Sequence, residues 1–162
     1  MPEKQTLARA RAEKKAGKSA ATQAGEFVRE QIHQIRQGRH GARSAKQVIA
    51  IGLSEARRAG VDLSAPSAAK TSPATRAKAQ RDYARGHGAA RRSAATAKRV
   101  RASENALKRE STAAATPPAL SAQARRAAAR RSPEERSAAA RKAAQTKARR
   151  ARSTAAKRRD LK

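Results

Sequence analysis

The chain has 162 residues, with 40 Lys/Arg against 12 Asp/Glu, a formal net charge of +28 and a sequence pI near 12.0. Aromatic residues make up 1% of it and there is no cysteine, which excludes a disulfide framework and a cysteine-based zinc site. Large apolar side chains drive burial, at about 25 cal/mol per Å² removed from water, and here they are too few for one core to span the whole length. We therefore expect one small ordered module flanked by long segments that are intrinsically disordered or conditionally helical.

The first half of the chain contains the most regular pattern. Residues 1–23 form a basic N-terminal arm, whereas residues 24–63 carry nearly balanced charge, with seven basic and four acidic side chains. Apolar residues at helical spacing predict a helix over about 26–37. Gly38 and Gly41 predict a turn after it. A second helix is then predicted over about 45–59.

The predicted second helix has clear start and stop signals. Ser44 followed by Gln47 is the pattern of a capping box, in which the serine oxygen accepts from a free backbone N–H and the glutamine reaches back. Gly60 is placed to end the helix, with Val61 packing back on the last turn. Two such helices joined by a short turn form a helical hairpin, so the fold class is mainly α with no β-sheet. Its predicted core comprises Phe27, Val28, Ile32, Ile35, Val48, Ile49 and Leu53.

Residues 64–162 form a basic tail rich in alanine, arginine and lysine. It holds 27 Lys/Arg and 6 Asp/Glu, and its only large apolar residues are Tyr83, Val100, Leu107, Leu120 and Leu161, so we expect it to build no core. Short helices are predicted near 73–85, 91–115, 119–131 and 133–154. Ser72-Pro73 and Ser132-Pro133-Glu134-Glu135 are helix-start signals, and Pro117-Pro118 is expected to break a helix.

So dense a positive charge predicts binding to a polyanion through phosphate contacts and counterion release. Single-strand binders usually stack bases on aromatic side chains, which this tail lacks apart from Tyr83, so the favoured partner is duplex DNA. The expected function is largely sequence-independent DNA binding by a histone-like, nucleoid-associated cytoplasmic protein. The predicted nucleic-acid-binding residues are Arg91, Arg92, Lys98, Arg99, Arg101, Arg125, Arg126, Arg130, Arg131, Arg141, Lys142, Arg149, Arg150, Arg152, Lys157, Arg158 and Arg159.

Other hypotheses remain open at this stage. One is an RNA-binding or ribosome-associated protein, because arginine stacking can replace aromatic stacking. Another is an adaptor whose hairpin binds a protein partner or a second copy while the tail localises it to the nucleoid. A third treats the hairpin as a helix-turn-helix reader using Ser44, Lys46 and Gln47. We expect no catalytic site, cofactor or metal, since His33, His40 and His87 lack ligand spacing, and no membrane span, since no apolar run is long enough.

Two resemblances accompany these patterns. Residues 25–30, 40–44 and 46–60 (KQVIAIGLSEARRAG) resemble an uncharacterised family of small basic proteobacterial proteins whose signature resembles KQAIAIGLSEARRAG. This chain departs from it at Val48, where the resemblance leads us to expect alanine. Members of that family are left unnamed or called DNA-binding proteins, so the resemblance implies kinship more than function. The tail is similar in composition to the tails of histone H1-like bacterial nucleoproteins.

Overall fold

The computed structural model describes residues 2–88 and 96–159, and over these residues it confirms the mainly α prediction. No strand occurs in these ranges. The α-helices are α1 (Lys4–Lys15), α2 (Ala20–Arg36), α3 (Ala45–Arg58), α4 (Pro73–Gly86), α5 (Thr96–Lys108), α6 (Pro117–Ala129) and α7 (Pro133–Arg159). Short 3₁₀ segments occur at Ala68–Lys70 and Thr112–Ala115.

The N-terminal arm is a packed helix. Thr6 and Ala10 of α1 are buried, and Ala10 lies in one apolar cluster with Phe27 and Ala56. Helix α2 begins six residues before the predicted start, because Ser19 caps it by accepting a hydrogen bond from the Thr22 N–H at 3.3 Å. The earlier start adds Ala20 and Ala24, which lie in the same apolar cluster as Ala10 of α1.

Helices α2 and α3 form the centre of the fold. Phe27, Ile35 and Val48 are fully buried, and the remaining predicted core residues are half-buried: Val28, Ile32, Ile49 and Leu53. A Cβ added at Gly52 would lie 2.7 Å from the Val28 Cα, which shows how closely the two backbones approach. The side chains on either side of this contact form two apolar clusters, one around Phe27 and one around Ile35 and Val48.

The predicted start and stop signals of α3 are confirmed, with one difference. The Ser44 hydroxyl accepts from the Gln47 N–H at 3.2 Å, but the Gln47 side chain accepts from the N–H of Arg43 rather than from that of Ser44. At the other end Gly60 has a φ of 85°, and Val61 donates to the Ala56 carbonyl at 3.0 Å. This is a Schellman ending, which buries Val61 against the first apolar cluster.

The folded part extends well beyond the predicted hairpin, because helix α4 packs on α3. Ala79 and Asp82 are buried there, and the predicted 73–85 helix matches α4 closely. A Cβ at Gly86 would overlap the Arg57 carbonyl, so a side chain at this position has no room. The tail therefore does contribute to a core, through alanine and glycine that allow backbones to approach.

A second tail segment, residues 107–115, docks on the turn between α2 and α3; we call it the strap. The N–H of Gly41 donates to the Leu107 carbonyl at 2.8 Å, and the N–H of Ala42 donates to the Ser111 carbonyl at 3.0 Å. Ala114 and Ala115 complete the cluster around Ile35 and Val48. The strap ends the predicted 91–115 helix early, since α5 stops at Lys108.

The chain divides at Leu120 into two units. The first unit contains α1 to α5 and the strap. In the second unit, α7 follows the Ser132-Pro133 signal as predicted. Helix α6 spans the boundary, and Pro117-Pro118 begin it in the first unit instead of only breaking a helix. Proline suits the first turn of a helix, where its missing N–H has no partner in any case. Within the described residues, no helix combines the length and apolar character that a membrane crossing needs.

Candidate nucleic-acid interface

Helix α7 is the longest basic element of the chain. Its 27 residues include ten Lys/Arg, and at 1.5 Å per residue they extend about 40 Å. At 3.6 residues per turn the cations occupy most of the circumference, leaving one uncharged strip along Ser137, Ala144, Ala148 and Ala151. None of the described side chains of α7 is buried. The helix therefore presents charge in nearly every direction and offers no face to a core.

The start of α7 explains how so charged a segment forms a helix. The Ser132 hydroxyl accepts from the Glu135 N–H at 3.2 Å, and the Glu135 carboxylate accepts from the Ser132 N–H at 3.3 Å. This reciprocal pair is a capping box. Glu134 and Glu135 also place negative charge in the first turn, where the helix dipole favours it.

The predicted nucleic-acid-binding residues fall into three groups in the structure. Arg91 and Arg92 lie outside the described residues. Lys98, Arg150, Lys157, Arg158 and Arg159 lie in helices, but their side chains are outside the description. The remaining predicted residues are all exposed: Arg99, Arg101, Arg125, Arg126, Arg130, Arg131, Arg141, Lys142, Arg149 and Arg152. Among these, Arg125 donates to the Ser121 hydroxyl at 2.7 Å.

Most acidic side chains of the first unit are buried or half-buried. Glu30 is 4% exposed and accepts from the Glu3 N–H and the Gln34 amide, and Asp82 is 4% exposed. The Glu26 carboxylate is paired with Arg9 at 2.7 Å. Up to Leu120, only Asp62 and Glu104 are exposed among the acidic residues that the structure describes.

The basic side chains of the same unit mostly point to solvent. In the nearly balanced 24–63 segment, Arg29, Arg43 and Lys46 are exposed. Arg57 is the exception: it is buried and donates to the Leu63 and Ser64 carbonyls, and burial lowers the pKa of its guanidinium. The surface of the first unit is therefore more positive than its sequence charge indicates.

One group of cations was missed by the sequence reasoning. Lys78, Arg81 and Arg85 on α4 are all exposed, and none forms an ion pair with a described residue. They lie outside the basic clusters predicted from adjacent residues because they are spaced three and four residues apart. That spacing, following the helix start at Ser72-Pro73, was the signal that places them on one face.

Two of the three residues that a helix-turn-helix reader would use form hydrogen bonds within the fold. Ser44 and Gln47 make the capping contacts at the start of α3, so only Lys46 is left exposed and without a polar partner in the described residues. A helix-turn-helix reader needs several free side chains at this point of its second helix. The local geometry does not favour that alternative.

Tyr83, the aromatic residue of the tail, also has local partners. Its hydroxyl donates to the Asp62 carboxylate at 2.7 Å, and this bond raises the pKa of the phenol. Its ring stacks on His87 with centroids 4.0 Å apart. One face of the ring is thus covered. In the described part of the chain, no three His, Cys, Asp or Glu side chains are grouped so as to hold a metal ion.

Comparison with known proteins gives one match. A model of a family of unknown function (DUF6496) matches residues 11–65, which run from within α1 to just beyond α3. This agrees with the resemblance of the hairpin to an uncharacterised family. No curated protein and no solved structure matches the chain. The matched segment excludes α4, the strap and the second unit, so all of the basic tail after residue 65 lies outside it.

Proposed function

We propose that this is a non-enzymatic, histone-like protein of the nucleoid that binds duplex DNA through its phosphate backbone, largely without regard to sequence. The observation that carries the proposal is the surface of α7, where ten Lys/Arg surround a helix that buries none of its described side chains. A helix with charge around its circumference is suited to a diffuse polyanion and poorly suited to a single protein groove. Duplex DNA presents one phosphate charge per about 1.7 Å of axis.

The inward acids of the first unit support the same conclusion. Negative charge that is buried, as at Glu30 and Asp82, repels phosphates approaching the surface less than exposed charge does. The folded unit therefore adds to the attraction instead of opposing it. Its outer cations add to the long-range potential that raises association rates.

Duplex DNA is favoured over single strands by the state of Tyr83. Non-specific single-strand binders use aromatic rings as platforms for successive bases. Here the ring is stacked on His87 and its hydroxyl is bonded to Asp62, so one stacking face is already occupied. Structured RNA is also a duplex with phosphates, and the experiment must separate it from DNA.

The test measures affinity as a function of salt with the full chain and a mixed-sequence DNA duplex. We compare the wild type with the variant R141Q/K142Q/R149Q/R152Q, which removes four exposed cations of α7. Each lost phosphate contact reduces the log–log salt slope by about 0.9, so the slope should become shallower by about three to four. Two unrelated duplex sequences should show the same loss.

The matched control is A138Q/A139Q/A148Q, which places the same new residue at exposed sites of α7 without changing charge. It should bind as the wild type does. Competition between the DNA duplex and a structured RNA at about 150 mM salt, where surface charges are screened beyond about 8 Å, decides the partner. A clear preference for RNA would contradict the proposal, and so would an unchanged salt slope in the α7 variant.

A further inference from the structure

We propose that helix α4 of the first unit is a second, preformed phosphate-binding surface, made by Lys78, Arg81 and Arg85 and directed at duplex DNA. We call these three residues the α4 ridge. The inference rests on the proposed function and deepens it. It assigns a defined contact to a helix that packs on α3, whereas the sequence pointed to basic clusters further along the tail.

The three cations of the α4 ridge lie on one side of the helix. Lys78, Arg81 and Arg85 are spaced by three and four residues, so they lie along one side of α4 over about 10 Å of helix axis. Ala79 and Asp82, which face α3, are buried. Duplex DNA carries about six phosphate charges over the same axial length, so one short segment of DNA has enough partners for all three cations.

The ridge is also held in place. The Ser54 hydroxyl donates to the Asp82 carboxylate, and Arg58 of α3 lies 3.7 Å from it. At the end of the helix, Gly86 lies against the Arg57 carbonyl. A surface fixed before binding loses less conformational freedom on binding than a flexible tail does. The cations of the α4 ridge therefore already have their positions when the duplex arrives.

Electrostatics distinguish α4 from the other outer helix of this unit. On α1, the exposed Lys4, Arg11 and Lys15 also share a face, but the side chain of Glu3 at the start of that helix is 42% exposed. On α4 the acidic residue is Asp82, which is 4% exposed and already paired. In the sequence, α4 also leads directly towards Arg91 and Arg92, the first predicted cluster of the tail.

The test compares two triple variants of the full chain, each of which removes three exposed cations from one helix. K78Q/R81Q/R85Q removes the α4 ridge, and K4Q/R11Q/K15Q is the charge-matched control on α1. With a mixed-sequence DNA duplex, the ridge variant should have a salt slope shallower by about two to three, from about 0.9 for each lost contact. The α1 variant should change by less than about one.

A second measurement uses the unmodified chain and does not depend on a variant folding. Lysines are acetylated with a limiting reagent in the presence and absence of the duplex, and the modified positions are read by mass spectrometry. Lys78 should be protected several-fold more than Lys4 and Lys15. Equal protection of the three lysines, or equal salt slopes for the two triple variants, would overturn the α4 ridge while leaving DNA binding intact. A wild type without salt-dependent duplex binding would overturn the proposed function itself, and the α4 ridge with it.

Discussion

The contact between Gly52 of α3 and Val28 of α2 gives a sharp test of the core. In the Gly52→Ala variant the new Cβ would lie 2.7 Å from the Val28 Cα and 2.8 Å from its nitrogen. Because carbon atoms in contact prefer about 3.5–4.0 Å, the two helices must separate by about 1 Å. Overpacking of this kind costs about 1–3 kcal/mol. Replacing a helical glycine by alanine stabilises the folded state by about 1 kcal/mol, because alanine has the higher helix propensity.

Gly25 of α2 is the matched control, because it is also a helical glycine but is exposed, with nothing within 4 Å of an added Cβ. Gly25→Ala should have only the effect of higher helix propensity, without overpacking, and stabilise the first unit by about 1 kcal/mol. The two variants differ only in the contact with Val28. The free energy of unfolding should therefore be lower in Gly52→Ala than in Gly25→Ala by about 1–3 kcal/mol.

The assay is urea unfolding followed by tyrosine fluorescence. The chain has one tyrosine and no tryptophan, so the signal comes from Tyr83 alone. That residue is bonded to Asp62 and stacked on His87 in the folded unit, and both contacts are lost on unfolding. If Gly52→Ala proves as stable as Gly25→Ala, the close approach of α2 and α3 is refuted.

Three further predictions follow from other contacts. Ala115→Asp buries a carboxylate among apolar side chains and should release the strap, seen as faster amide exchange over residues 107–115, whereas Ala113→Asp at an exposed site should leave exchange unchanged. Burial, and secondarily the Glu30 charge, raises the pKa of Glu55 above 4.5, so the folded chain holds this proton to higher pH than the unfolded chain. Stability from this group is thus present below pH 4.5 and is lost as pH rises through the folded pKa. Glu55→Gln keeps an acceptor for the Gln31 amide and should be more stable than the wild type at pH 7 in urea unfolding, but not at pH 4; a wild type that is more stable at both would contradict this. Ser132→Ala removes the cap of α7 and should reduce its stability by about 1 kcal/mol, measured by amide exchange in its first turn, with Ser137→Ala as the control that should leave that turn unchanged.

Most helix starts and ends could be predicted from short local patterns in the sequence. Ser44, Ser72 and Ser132 each begin a helix where their capping patterns predicted, because a cap depends on a few adjacent residues. Gly60 ends α3 for the same reason. The apolar spacing of α2 and α3 likewise identified Phe27, Ile35 and Val48, which are fully buried.

Other features depend on partners distant in sequence and could not be read from it. Ala79, Ala114 and Ala115 are buried, but an alanine in an alanine-rich tail looks the same whether it packs or not. The need for glycine at Gly41 and Gly86 comes from the strap and α3 respectively, and neither contact has a sequence signature. The spacing of Lys78, Arg81 and Arg85 is visible in the sequence, but the side of α4 that packs on α3 is not, because the burial of Asp82 depends on that contact.

The strap has one more consequence, which concerns the tethering of α5. The chain is anchored at Gly86, against the Arg57 carbonyl, and again at Leu107, whose carbonyl accepts from Gly41. Helix α5, which carries Arg99 and Arg101, therefore ends in a segment attached to the first unit and not in a free arm. If the first unit holds a duplex as proposed, these two arginines act at an effective concentration in the millimolar range for short tethers. Breaking the contact between the strap and Gly41 would lower that concentration without removing a charge.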